Sequence, residues 1–522
     1  MCKFYIFPIK HAIVRRTRSK KHQAIIPMLQ RLSKLRPQPI MLLMGLILTL
    51  NTVSFLFLSL SEDGAHYALY GTHLDWGYVD HPPLIGWIQA ALLALAGHHD
   101  WAMHSSALLI SCGILYTLFR LTRTLFPQQN QQFAYWCVFA CFLSAFFFIS
   151  TELILTQNPL RLSCLLSILL FYRYCQSQRT LFLLLTGVCL GLAGLSDFTA
   201  FMFALGLAGY ALLFHRPLLR NPWLYVALTL AIGVVSPFII WNSQHHFISF
   251  VSGSHRVVSH AWSWASFFTS LGIQFIAYSP ALVIFSLIGS AQALRQKLKA
   301  QLVLVLPAIP VLLLFLFIGG FKRIDIHWPA LGWTLLIPIA VHAIHQRWQK
   351  RSTRLIVIAS IVLQLCAVVF FYMQALLYPI SIHGRSPLYE LYGWQQAADH
   401  AIKLETTYDL PANTARLFVN HWSMASRLAW YSQQAVQMAK PTEIASYHQF
   451  ERWYGLPNTH SNGIMVILEH NSAPARHSAA THQFQHCDYI DSLPILSHHQ
   501  HVSTFQFYHC WHYNRAPKNK PA

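Results

Sequence analysis

Several acids in this chain sit beside imidazoles, aromatic rings and out-of-place cations, in patterns suited to moving a proton and holding an anion. Asp63 directly follows a long apolar run. A carboxylate there meets low dielectric, which raises its pKa and suits it to act as a general base on a hydroxyl or amine. An acid ahead of Tyr67-Ala68-Leu69-Tyr70 is equally a good helix cap. Asp80-His81-Pro82-Pro83 is a rigid extended turn that presents an acid and an imidazole, or serves only as a turn. Trp241 and Asn242, with Gln244, His245, His255 and Arg256, supply aromatic and amide groups for sugar stacking and hydroxyl recognition. They suit an interfacial aromatic belt as well. Lys322 and Arg323, just ahead of His327, suit an anionic phosphate ligand; pairing with Asp325 is the structural alternative.

These residues must be positioned by a chain of 522 residues, 55% hydrophobic and only 10% charged. A soluble domain carries about 25% charged residues, and the mean hydropathy here is +0.40. A single soluble domain, a disordered chain and a secreted disulfide scaffold are therefore excluded. A membrane core of roughly 30 Å needs about 20 apolar residues per helix. Such runs fall near 40–60, 103–122, 131–151, 153–172, 180–196, 198–214, 222–241, 265–290, 300–319, 327–345 and 354–376. The expected scaffold is a polytopic α-helical membrane protein with about eleven transmembrane helices. The shorter run 83–98, opening on Pro82-Pro83, reads as a helix lying at the interface.

Charge placement supports this threading. With a cytoplasmic N-terminus, 23 of the 37 Lys and Arg fall on the inner side, as the positive-inside tendency requires. The short outer loops hold only Arg161, Arg256, Lys322 and Arg323. The net charge of +20 is thus a topology signal and an affinity for anionic inner-leaflet lipid, not a nucleic-acid footprint. The basic start, with no cleavage site before the first apolar run, reads as a tail plus an uncleaved signal anchor.

Three regions follow: a cytoplasmic tail (1–39), a membrane body (40–377) and an extracytoplasmic domain (378–522). In the last, long apolar runs stop, and 14 of the 30 His and nine of the 17 acids gather. Ala415–Val419, Gly463–Leu468 and Thr504–Tyr508 read as strands. Gly393–Lys403 and Ser423–Trp430 have helical spacing, so a small α/β domain is expected. Cys487 and Cys510 share it and would pair in an oxidising compartment. No metal-ligand spacing occurs; a divalent cation is compatible with the site but no ligand cluster demands one.

Outside this domain the acids are Glu62, Asp63, Asp75, Asp80, Asp100, Glu152, Asp197 and Asp325. All eight fall in outer loops under the eleven-span threading. Ionisable groups at the edge of a membrane body are usually functional, so their convergence points to one polar site facing outward. A transporter would instead gather polar groups near the membrane midplane.

The strings that carry these residues occur in a family's order. They are Asp63-x-x-x-Tyr67, HLDWGYVDHPPL (73–84), WNSQHHFISF (241–250), Gly272 and Gln274 ahead of Ser279-Pro280, Lys322 to Ala330, LYGW (391–394) and QFERW (449–453). Over most of 40–515 the chain resembles the bacterial branch of glycosyltransferase family 39. That family has the GT-C fold and is related to aminoarabinose transferases and protein mannosyltransferases. The resemblance implies an inverting transferase of the bacterial inner membrane. Such an enzyme moves a sugar from a polyprenyl-phosphate carrier to a glycolipid, lipopolysaccharide or protein. It implies Asp63 as the base activating the acceptor. His81, Lys322, Arg323, His327 and Arg256 would hold the donor phosphate, and Asp80, Tyr67, Trp241 and Asn242 would bind acceptor or sugar.

Two positions depart from the family pattern. Gln157 stands where an acid precedes Pro159, and Asp197 stands where a lysine precedes the sixth span. Arg161 lies four residues after Gln157, on the same helical face. A charge-reversed pair between Arg161 and Asp197 is therefore expected. The rival reading is a weakened paralogue that binds lipid-linked glycans without transfer.

Overall fold

The computed structural model describes residues 37–258, 261–377, 387–408, 410, 417–439, 444–469 and 483–514. The tail over 1–36 lies outside the described residues. A helical body runs from α1 (Pro37–Phe55), α2 (Glu62–Thr72), α3 (Leu84–Ala96) and α4 (Asp100–Leu125) through α5 (Gln131–Phe142), α6 (Ala145–Ile149), α7 (Gln157–Ser177) and α8 (Thr180–Gly194). It continues with α9 (Thr199–Phe214), α10 (Pro222–Gln244), α11 (Ile248–Val258), α12 (Trp264–Ala277) and α13 (Pro280–Arg295). The last body helices are α14 (Lys299–Phe321), α15 (Ala330–Arg347) and α16 (Arg351–Tyr372).

Small residues let these helices approach closely, as membrane packing requires. A Cβ on Gly187 of α8 would stand 2.1 Å from the Ala227 carbonyl oxygen of α10. One on Gly206 of α9 would stand 2.3 Å from Pro307 on α14. Either substitution would force a helix pair apart.

The eleven-span expectation is met only in part. Among the described residues four helices are long and apolar enough to cross a membrane: α4, α10, α14 and the segment Arg351–Leu376. The pair α12–α13 makes a fifth if counted as one span. That pair bends by 102°, because Ser279 takes φ +72° and Pro280 starts a new helix. The run expected over 131–151 likewise breaks between α5 and α6, where Ser144 caps the second piece. Apolar length marks where the chain is greasy but not where a turn interrupts it. The run at 83–98 becomes α3, whose 13 residues span about 20 Å.

The C-terminal region forms a five-stranded mixed sheet in the order β2-β1-β3-β5-β4. The strands are β1 (Leu417–Val419), β2 (Val436–Met438), β3 (Asn462–Glu469), β4 (Phe484–Ser497) and β5 (Gln500–Tyr513). β1 runs parallel to β2 and β3, whereas β3–β5 and β4–β5 are antiparallel. Helices α17 (Trp394–Thr407), α18 (Trp422–Ser432) and α19 (Ile444–Tyr454) complete it. Cys487 faces Cys510 across β4–β5, and a disulfide joins them.

This sheet does not bury its core alone. Trp394, Ala397, Trp430, Phe505 and Phe507 share one apolar cluster with Leu60, Tyr67, Tyr70 and Ile85. The first loop thus packs as part of the C-terminal unit. Asp100, at the start of α4, accepts hydrogen bonds from Trp430 Nε1 at 2.7 Å and the Tyr431 hydroxyl at 2.6 Å.

Candidate functional site

Helix α2 starts at Ser61, whose hydroxyl accepts from the Gly64 amide at 3.1 Å. Ser61 is therefore the cap, and Asp63 is released from that duty. Burial first, and then the nearby Asp325, push the Asp63 carboxyl up to about 6; Asp80 adds to this while His66 and Arg427 oppose it. Burial and then Asp63 push Glu62 up to about 7, with Glu390 and Asp325 adding and Arg427 opposing. Two adjacent carboxyls thus titrate near neutral pH. Arg427, on α18, is buried. Its guanidinium pairs with Glu390 at 3.4 Å and lies 5.4 Å from the centre of the Trp394 ring. A cation of the C-terminal unit therefore tempers the acids of the first loop.

The loop between α14 and α15 supplies the opposite wall. Burial holds the His327 imidazole below its ordinary value, so it is neutral at pH 7. Asp325, Asp197 and Glu62 pull it upward and Arg161 pushes it down, so all four charges reach one ring. The Tyr278 hydroxyl fixes this loop by donating to the Ile326 carbonyl at 2.5 Å. The Lys322 ammonium sits 4.8 Å from the centre of the Trp328 ring, and Arg323 is exposed.

The Asp80-His81 turn divides its two side chains between structure and site. Asp80 is buried, accepting from the Tyr70 hydroxyl and meeting His66 Nε2 at 2.9 Å. The other His66 nitrogen meets the Ser426 hydroxyl on α18 at 3.1 Å. Asp80 therefore ties the first loop to the C-terminal unit through His66. His81 instead meets the Tyr67 hydroxyl at 3.2 Å and turns its other nitrogen toward Asp197, 3.9 Å away. The Leu84 amide, just past the two prolines, donates to the Leu195 carbonyl at 3.0 Å and anchors the turn on the body.

The expected Arg161–Asp197 pair is not formed. Arg161 is buried on α7, where it donates to Ser150 and Asn158 and lies 5.6 Å from the centre of the Phe147 ring. Asp197 accepts from the Thr199 amide at 2.8 Å and the Thr199 hydroxyl at 2.6 Å, at the start of α9, and from Thr156 at 3.2 Å. Each charge finds neutral partners close to it in the chain, so a shared helical face did not make them partners; the Arg161 Nε is left buried without a hydrogen bond. The Gln157 side chain is buried with its carbonyl oxygen unpartnered.

Trp241 and Asn242 pack against the turn of the first loop that carries Asp80. Trp241 is buried against Gly77, where any Cβ would come within 2.7 Å of its ring. Arg452 covers that ring at 5.2 Å. The Asn242 side chain accepts from the Ser249 amide at 3.2 Å and donates to the Phe238 carbonyl, shaping the α10–α11 turn. Ser249 in turn donates to the Tyr78 carbonyl at 2.7 Å. The pair supports the first loop from behind. Arg256 falls on α11, and its side chain lies outside the described residues.

Sequence reasoning passed over Glu62, Asp325 and Arg427 as parts of the site. The first two were visible as outer-loop acids; Arg427 gave no local signal. Among the described residues no three His, Cys, Asp or Glu side chains converge to hold a metal ion.

Residues 80–241 match the family described as dolichyl-phosphate-mannose-protein mannosyltransferase. No curated protein matches the chain significantly. The fold is similar to that of ArnT from Cupriavidus metallidurans bound to undecaprenyl phosphate, with TM-score 0.64 and 13% identity, covering 94% of this chain and 100% of that one. The apo form of the same protein gives TM-score 0.63 and 13% identity, covering 92% and 99%. The mycobacterial arabinofuranosyltransferase AftD gives TM-score 0.50 and 14% identity, covering 92% of this chain but 40% of that one. The chain therefore carries the GT-C fold of membrane glycosyltransferases, as its motif order suggested. Within that class, the segment from Asp80 to Trp241 is the part that matches the mannosyltransferase family.

Proposed function

We propose that this protein is an inverting glycosyltransferase that moves a sugar from a polyprenyl-phosphate carrier to an envelope glycolipid, lipopolysaccharide or protein. Asp63 is the base. It is freed from capping by Ser61 and held near 6 by burial and Asp325, and this observation carries the reading. In the reaction the acceptor oxygen attacks the anomeric carbon from the face opposite the phosphate, and its proton passes to Asp63. The bond from that carbon to the phosphate oxygen breaks as the new bond forms, inverting the centre. Polyprenyl phosphate leaves with one more negative charge. Lys322, Arg323 and Arg256 offset that charge, and the imidazoles of His81 and His327 donate hydrogen bonds to the phosphate. Asp80, Tyr67, Trp241 and Asn242 act mainly by holding the first loop in place.

The likeness to a protein crystallised with undecaprenyl phosphate supports a polyprenyl donor. Nucleotide sugars are cytoplasmic, so an outward-facing site requires a lipid-linked donor. The reading includes eleven crossings of the bacterial inner membrane, a cytoplasmic tail over 1–39 and the C-terminal unit over 378–522 outside.

Gln157 supports a second reading, a relative that binds lipid-linked glycans without transfer. Its buried amide stands where the family has an acid. Asp63→Asn separates the two. Transfer from a polyprenyl-phosphate sugar, followed by mass spectrometry of envelope glycans, should fall by about a hundredfold or more if Asp63 is the base. A variant with unchanged glycans would favour the binder.

A further inference from the structure

At the end of the bundle remote from Asp63, α4, α5 and α7 border an open surface cleft of about 510 Å³. Arg120, Arg123 and Arg173 line it, beside Tyr116 and Phe119. Asp100 and Arg123 lie on one continuous helix, and 23 residues at about 1.5 Å each separate them by roughly 35 Å. Asp100 contacts the C-terminal unit, so the cleft opens on the opposite face of the membrane body.

Three like charges share this cleft with no protein counter-charge. No Asp or Glu occurs between Trp101 and Thr151, or between Leu153 and Ser196, and among the described residues none of the three arginines makes an ion pair. The cleft is nonetheless ordered. Arg120 donates to the Tyr116 hydroxyl at 2.7 Å and lies 5.7 Å from the centre of its ring. A planar guanidinium held in this way is set to receive phosphate oxygens two at a time. The aromatic rings beside it belong at headgroup depth.

We propose that Arg120, Arg123 and Arg173 form a binding site for the phosphate headgroup of an anionic phospholipid. The ligand supplies the negative charge that this end of the chain lacks, and the rings flank its glycerol and upper acyl carbons. The site is distinct from the one that holds Asp63.

The full chain, purified in detergent, can be tested by native mass spectrometry against phosphatidylglycerol, phosphatidylcholine and inorganic phosphate. Phosphatidylglycerol should be retained selectively. Each Arg→Gln change should weaken retention about fivefold, and R120Q/R123Q/R173Q together on the order of a hundredfold. The R120K/R123K/R173K variant keeps the charge and should retain part of the binding, which separates ligand loss from misfolding. A charge-matched control, R179Q/R216Q/R220Q, should bind as wild type. Equal retention of phosphatidylcholine, or equal loss in the control, would overturn the proposal in favour of diffuse surface charge. Inorganic phosphate binding as tightly as the lipid would overturn it in favour of a soluble anion.

Discussion

The Asp325 carboxylate faces the Asp63 carboxyl across the site and, after burial, is the largest influence holding it up at about 6. One acid begins α2 and the other precedes α15, so only the folded bundle lets them repel each other.

A pH profile of sugar transfer follows from this pair. The rate should fall on the acid side with a midpoint near 6, as Asp63 takes up its proton. Asp325→Asn removes the repulsion and should move that midpoint down by up to about one pH unit. Arg427→Gln removes an opposing cation and should move it up. A midpoint indifferent to both changes would show that the acid limb belongs to another group. Stability should run the other way from a salt-bridged acid. The folded state binds these two protons more tightly than the unfolded chain, so stability rises as pH falls from about 7 through 6 toward the ordinary carboxyl value near 4. Thermal unfolding across that window checks the sign.

Arg161 and Asp197 should behave as independent sites. Arg161→Ala leaves the Ser150 and Asn158 acceptors without their donor, and Asp197→Ala removes the acceptor of the Thr199 amide and hydroxyl, which costs about 1 kcal/mol. Because the two charges share no contact, the double variant should be additive within about 0.5 kcal/mol. Partial rescue in a double-mutant cycle would restore the charge-reversed pair.

Asp100 should govern docking of the C-terminal unit. Asp100→Ala removes two hydrogen bonds to a carboxylate, each worth about 1.5–3 kcal/mol. Limited proteolysis should then cut the C-terminal unit faster while leaving the helical body intact. Cleavage at the wild-type rate would mean that the shared apolar core alone holds the unit in place.

The Cys487–Cys510 disulfide should act within the sheet and not at the site. Replacing both cysteines with serine should lower stability by about 3 kcal/mol, from the loop that the bond closes. Transfer activity at temperatures below unfolding should be unchanged. A selective loss of activity without loss of stability would place the β4–β5 hairpin in the reaction.

What the amino-acid string alone decided was whatever depends on composition and short-range order. Apolar runs and the scarcity of charge defined a helical membrane body, and the grouping of its few acids in loops drew attention to Glu62, Asp63, Asp197 and Asp325. The strings around Asp63, Asp80-His81 and Lys322–His327 carried the GT-C likeness. Alternating and helical patterns located β1, β3, β5, α17 and α18, because side-chain period is a local property. The fold alone decided which charges meet. Helical spacing put Arg161 near the right face but could not show that Thr199 and Ser150 would claim the two charges first. Nor could it show that Ser61 would cap α2, that Trp241 would be walled in by Gly77, or that Arg427 would reach Asp63 from a distant helix. Coulomb forces and burial depend on distance in space, and only packing sets that distance.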